Sequence, residues 1–196
     1  MIIKPTLAKT TLAAGALLLA ATFPAAAQGQ ATPQELPPPH SGQALATANM
    51  IGSDGKPRGS AAFVETAAGT LVQLRLNGIP PGVHGIHIHE VGQCQGPDFK
   101  TAGGHYNPGG RSHGLLAHQE IHAGDLPNVY AHENGEVWAD ILTPRVSLGS
   151  GQNSLFPQGG TSLVVHAAPD DYATNPAGAS GDRIACGVIA RTTQPK

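Results

Sequence analysis

Long hydrophobic runs are scarce in this chain of 196 residues; aromatic residues make up only 4% of it, charged residues 12%, and cysteine occurs twice. Each shortage excludes something. Short apolar runs among 26 glycines and 17 prolines argue against a bundle of long helices and predict many short strands joined by turns. The small basic content gives no surface for nucleic acid or an anionic membrane. No cysteine precedes Cys94, which excludes a lipid thioether on a processed N-terminus.

The longest apolar stretch, TTLAAGALLLAATF at 10–23, is shorter than the roughly 20 residues a membrane-spanning helix needs. A segment with Lys4, Lys9 and no acid precedes it, and AAAQ, a small-residue cleavage site after Ala27, follows. Residues 1–27 therefore read as a cleavable secretory signal. Its removal takes two of eleven basic residues and leaves nine against thirteen acids, a net charge of −4. Residues 28–42, with QATPQELPPPHSG, read as a proline-rich flexible leader, and 43–196 suits one domain. The expected location is soluble, in a periplasm or outside the cell.

Several windows alternate apolar and polar residues: LVQLRLN at 71–77, GIHIHE at 85–90, EVWADIL at 136–142 and TSLVVH at 161–166. Glycine, proline, asparagine or aspartate bounds each one, as expected of antiparallel strands. Two stretches, 92–126 and 167–182, lack periodicity, and loops of that length in a compact domain are usually functional. The expectation is an all-β sandwich or barrel with two elaborated loops.

HGIHIHE, at 84–90, crowds three histidines into seven residues. On a strand, side chains alternate faces, so Ile86 and Ile88 point to a core while His87 and His89 stand on the outer wall. An isolated buried histidine is most simply a hydrogen-bonded core residue, and an H-x-H pair on a polar face leaves metal ligation equally open. Downstream come His105 in GGHYNP, His113 in RSHG, His122 and Asp125 in IHAGDLPN, and His166 in LVVH. Imidazole and carboxylate suit copper and zinc. His105, His113, His122 and Asp125 together make a tetrahedral N3O set.

In order and spacing, HGIHIHE, AGGHYNP, HG at His113, HAGDLPNV, SLVVH and DRIACGVI resemble the copper/zinc superoxide dismutase family over about 44–192. The resemblance implies an eight-stranded antiparallel Greek-key β-barrel or sandwich. It implies copper on His87, His89, His105 and His166, and zinc on His105, His113, His122 and Asp125, with His105 bridging the two. Asp170, four residues after His166, matches the aspartate that links a copper-ligating to a zinc-ligating histidine. Arg183 matches the arginine that attracts superoxide beside the copper. The implied reaction turns superoxide into oxygen and hydrogen peroxide by Cu(II)/Cu(I) cycling, with zinc structural. Cys94 in the ligand-bearing loop and Cys186 in IACGVI, an even count on an exported chain, are expected to form a disulfide.

His40, His118 and His132 have no counterpart in the ligand pattern and read as solvated, and His84 as a structural hydrogen-bonded residue. HENGE at 132–136 reads as a turn on Asn134-Gly135. The loop 167–182 carries no lysine, so a charged substrate-guiding cluster there does not carry over. Family members are often homodimers, which makes a homodimer an expectation without a located interface. The alternative function is a module that stores or passes copper or zinc without catalysis, which needs neither a bridging histidine nor Arg183.

Overall fold

The computed structural model describes residues 44–192. The signal, the leader and His40 fall outside them. Nine strands form among the described residues: β1 (Ala46–Gly52), β2 (Pro57–Thr66), β3 (Gly69–Leu76), β4 (Gly82–His84), β5 (Ile86–His89), β6 (Val129–Ala131), β7 (Val137–Thr143), β8 (Thr161–His166) and β9 (Arg183–Arg191). Besides these there is one 3-10 turn, Lys100–Ala102. No helix among the described residues is long and apolar enough to cross a membrane.

Every strand pairing is antiparallel, in the order β4-β6-β7-β3-β2-β1-β9-β8-β5. The two ends of that order, β4 and β5, are consecutive in the chain with Gly85 alone between them. A sheet whose edges are joined by one residue has to curl into a barrel. Counted as one interrupted strand, β4 and β5 bring the total to the expected eight. The chain leaves the β1-β2-β3 meander and crosses to the far side of β7 and β6 before returning, the Greek-key feature.

Period-two alternation fills the interior. Ala46, Ala48 and Met50, Ala61 and Phe63, Val72, Leu74 and Leu76, Ile86 and Ile88, Leu163 and Val165 all point into one apolar core. Each large apolar side chain so buried contributes about 1.5–3 kcal/mol. A second, smaller cluster sits outside the barrel wall, where Phe99 and Ala102 pack on Val164 and Cys186. The disulfide between Cys94 and Cys186, 92 residues apart, anchors the same loop to β9.

The alternating windows at 71–77, 85–90, 136–142 and 161–166 coincide with β3, β5, β7 and β8. The long connections are 90–128 and 167–182, as expected, joined by a third at 144–160 that composition did not single out.

Candidate metal centre

His87 and His89 do leave the outer wall of β5, as alternation requires, yet both are fully buried. The reason is that the long loops cover that wall. The connection after β5 folds back along its free edge: Glu90 N–H donates to Gly104 O, Tyr106 N–H to Ile88 O, and Ile88 N–H to Gly124 O. Tyr106 O in turn accepts from Gly124 N–H. This zipper sets His105 opposite His89 and Asp125 opposite His87. Gly124 is required there, because a Cβ would run into the carbonyl oxygen of Ile88.

The potential ligand atoms form two sets, each lying within 4.8 Å of one another, and His105 belongs to both. One set is His87, His89, His105 and His166. Each of these rings commits one nitrogen to a carbonyl or carboxylate and turns the other toward the remaining rings. His87 Nε2 donates to Asp170 Oδ2 (2.7 Å), His89 Nδ1 to Gly103 O (3.0 Å) and His166 Nδ1 to Gly181 O (3.2 Å). His105 Nδ1 donates to Asp125 Oδ1 (2.9 Å). What remains is His87 Nδ1 and His105 Nε2, both buried without a partner, and Nε2 of His89 and of His166, facing each other at 3.4 Å. In folded proteins the large majority of buried polar atoms are paired. Four convergent imidazole lone pairs are the donor set that copper accepts.

The second set is built on a carboxylate. Asp125 Oδ1 meets Nδ1 of His105 at 2.9 Å, of His113 at 3.0 Å and of His122 at 3.2 Å. His122 Nδ1 lacks hydrogen-bonding geometry to that oxygen and is otherwise unpartnered. Asp125 Oδ2 accepts from Gly114 N–H. Three imidazole nitrogens and one carboxylate oxygen fit zinc.

Protonation differs between the sets. Burial, with the neighbouring imidazoles, depresses His166 to about 3 and keeps His89 well below the usual histidine range. Burial also takes His105 down to about 4 despite the Asp125 carboxylate. Burial opposes charge on His113 as well, but hydrogen bonds to Asp125 and Asp170 prevail and raise it to about 9. Both its nitrogens face carboxylates. Asp125, whose burial alone would raise it, is held far below the carboxylate range by His105, His113 and His122.

Asp170 joins the sets: Oδ2 accepts from His87 Nε2 and Oδ1 from His113 Nε2 at 3.0 Å. Burial raises its pKa, yet the two histidines bring it down to about 2. Asn128, not singled out from sequence although it stands in HAGDLPN, grips Asp170 from both sides by donating to its carbonyl (2.9 Å) and accepting from its N–H (2.8 Å). Gly178, in the left-handed region, leaves room for Asp170, because a Cβ there would overlap its carboxylate.

Arg183 lines a cleft of about 510 Å³ with Lys100, Asp98 and Asp182. Its Nη1 donates to Phe99 O (2.7 Å) and Nη2 to Gly103 O (2.6 Å), the carbonyl that also receives His89 Nδ1. The guanidinium is thus one acceptor away from the all-imidazole set. His84 is buried, with ring nitrogens 2.7 and 2.8 Å from the carbonyl oxygens of His166 and Pro80, outside both sets. His118 and His132 are exposed.

Residues 57–189 match the family model described as copper/zinc superoxide dismutase (SODC). The chain is 49% identical over 146 residues to superoxide dismutase [Cu-Zn] 2 of Aquifex aeolicus, covering 74% of this chain and 85% of that one. It is 45% identical over 147 residues to superoxide dismutase [Cu-Zn] of Caulobacter vibrioides, covering 74% and 84%. Among solved structures it is similar to a SOD-like protein from Bacillus subtilis, with 34% identity and a TM-score of 0.70 over 72% of this chain and 96% of that one.

Proposed function

The chain belongs to the copper/zinc superoxide dismutase family, an oxidoreductase that uses copper and zinc to act on superoxide, and we propose how its own residues divide that work. His87, His89, His105 and His166 would hold copper, and His105, His113, His122 and Asp125 would hold zinc. Copper bound there would supply the one-electron chemistry of the Cu(II)/Cu(I) couple, and zinc, which has no redox chemistry, would supply structure and fixed charge. Two superoxide anions and two protons give one oxygen and one hydrogen peroxide.

Arg183 draws in the anion, its guanidinium held by two carbonyls of the loop that the disulfide anchors. Asp170 keeps His87 and His113 in fixed tautomer and orientation, as carboxylate partners of metal-ligating histidines do. His105 is the proton-handling group. Nε2 is the atom at which it holds and gives up a proton for the departing peroxide.

One observation carries this reading: His105 directs Nδ1 at Asp125 and leaves Nε2 buried and unpartnered toward three other imidazoles. A storage module needs no such shared ring. The test is superoxide dismutation by the copper- and zinc-loaded protein beside His105→Ala. Copper-dependent activity that drops at least about a hundredfold in the variant supports the reading. A parent that takes up both metals without dismutating superoxide overturns it.

Export to a periplasm or beyond fits residues 1–27 and the disulfide, since such bonds persist in oxidising compartments. Protease mapping of the N-terminus of material purified from cells tests a cut after Ala27. A homodimer is supported by an exposed row across the sheet: Val83 pairs with Tyr130, and Trp138 lies on the next strand with Arg75 stacked 5.6 Å from its ring centroid. Sedimentation of Trp138→Glu beside the parent tests it, monomer against dimer.

A further inference from the structure

Asp125 is the residue on which the carboxylate-centred set depends, and its carboxyl group is fully assigned. Its backbone carbonyl is equally buried, and it receives a donor from an unexpected place. Arg145 Nη2 donates to Asp125 O at 2.6 Å.

Arg145 lies just past the end of β7, where its N–H is taken by Thr143 Oγ1 (3.3 Å) and the next residue's carbonyl accepts from Thr70 Oγ1 of β3 (3.0 Å). The guanidinium therefore starts from the barrel frame. It is half-buried in the wall of a polar cleft of about 510 Å³ beside Asn107, Arg111 and Gln152, and its Nε is buried with no partner. A side chain kept in place with one donor unmade is held by the contact it does make.

We propose that Arg145 is a positioning residue for zinc: it fixes the Asp125 peptide from the barrel side and so aims the carboxylate oxygen at His105, His113 and His122. The inference rests on reading that set as the zinc site. Charge alone predicts the opposite sign. A guanidinium beside a site for a dication opposes its binding electrostatically, whereas a strut that orients a ligand favours it, and removing such a partner typically costs roughly 10–100-fold in metal affinity.

The experiment is chelator competition for zinc, with the protein and its Arg145→Met, Arg145→Lys and Arg145→Gln variants. Cobalt in the same site reports geometry by its visible absorption. Arg75→Met, which removes a guanidinium paired with Asp140 on the barrel surface, is the control. The expected result is a 10–100-fold weaker zinc affinity in Arg145→Met with an altered cobalt spectrum. Partial recovery is expected in Arg145→Lys and Arg145→Gln, which retain an N–H donor, and the parent value in Arg75→Met. Unchanged or tighter zinc binding in Arg145→Met overturns the proposal. So does a lowered unfolding midpoint with an unchanged cobalt spectrum. If Arg145→Met does not fold, Arg145→Gln decides by the same two readings. A parent whose zinc affinity is indifferent to His122→Ala refutes the zinc-site reading itself, and the inference falls with it.

Discussion

The two sets of side chains use the same ring and treat its proton in opposite ways. In the all-imidazole set, each histidine gives one N–H to a neutral or shared acceptor, and burial disfavours a second proton on His89, His105 and His166. In the other set, the carboxylates of Asp125 and Asp170 trap a proton on His113. Ligand type alone does not decide how ready a site is for metal. The neighbours decide it, because a metal competes with whatever proton the carboxylate has retained.

Asp125→Asn breaks the comparison most strongly. Zinc affinity is expected to fall at least about a hundredfold, more than loss of an outer partner costs, while copper uptake by the other set persists; parallel metal titrations measure both. Asp170→Asn touches both sets and is expected to weaken zinc by roughly 10–100-fold and to change the copper absorption through His87. Arg183→Met leaves metal content unchanged and lowers dismutation by about tenfold, with a weaker dependence on ionic strength, because steering by a focused charge is screened by salt. The smallest signal is the proton itself. Zinc added at pH 7–8 releases about one proton from His113, and copper added alone releases none from His89 or His166, as calorimetry in buffers of different ionisation heat would show.

The same shifts fix the pH dependence of the metal-free protein. His113 is raised above its ordinary value near 6.5, so its contribution is complete below that pH and is lost as pH rises through about 9. His105 and His166 are depressed, so stability falls as pH drops below about 6.5, down through about 4 and about 3. Denaturant midpoints across this range should decline on both sides.

The strands that alternated cleanly were legible in the sequence, and those that did not were not. β1 is ATANMIG, built from small residues whose inward face shows only as Ala46, Ala48 and Met50, and β9 carries Gly187 where Met50 and the backbone of Asn49 leave no room for a Cβ. The residues of the two sets were legible because their motifs kept their spacing. Their burial was not, since alternation places His87 and His89 outside and cannot see loops that fold over them. Arg145 was invisible for a further reason: an arginine after a proline in a turn has no periodicity, and its partner is a backbone oxygen 20 residues away.

The seam that closes the barrel carries one residue of each set, His87 on one side and Asp125 on the other. Residues 124–131 lie along 82–88, pairing with β5 near Asp125 and with β4 from Val129, and His166 N–H closes on Gly85 O. The two sets are therefore brought into register with one another only where this long-range seam is closed. Loosening the seam would shift His87 and Asp125 relative to each other and so disturb both sets at once.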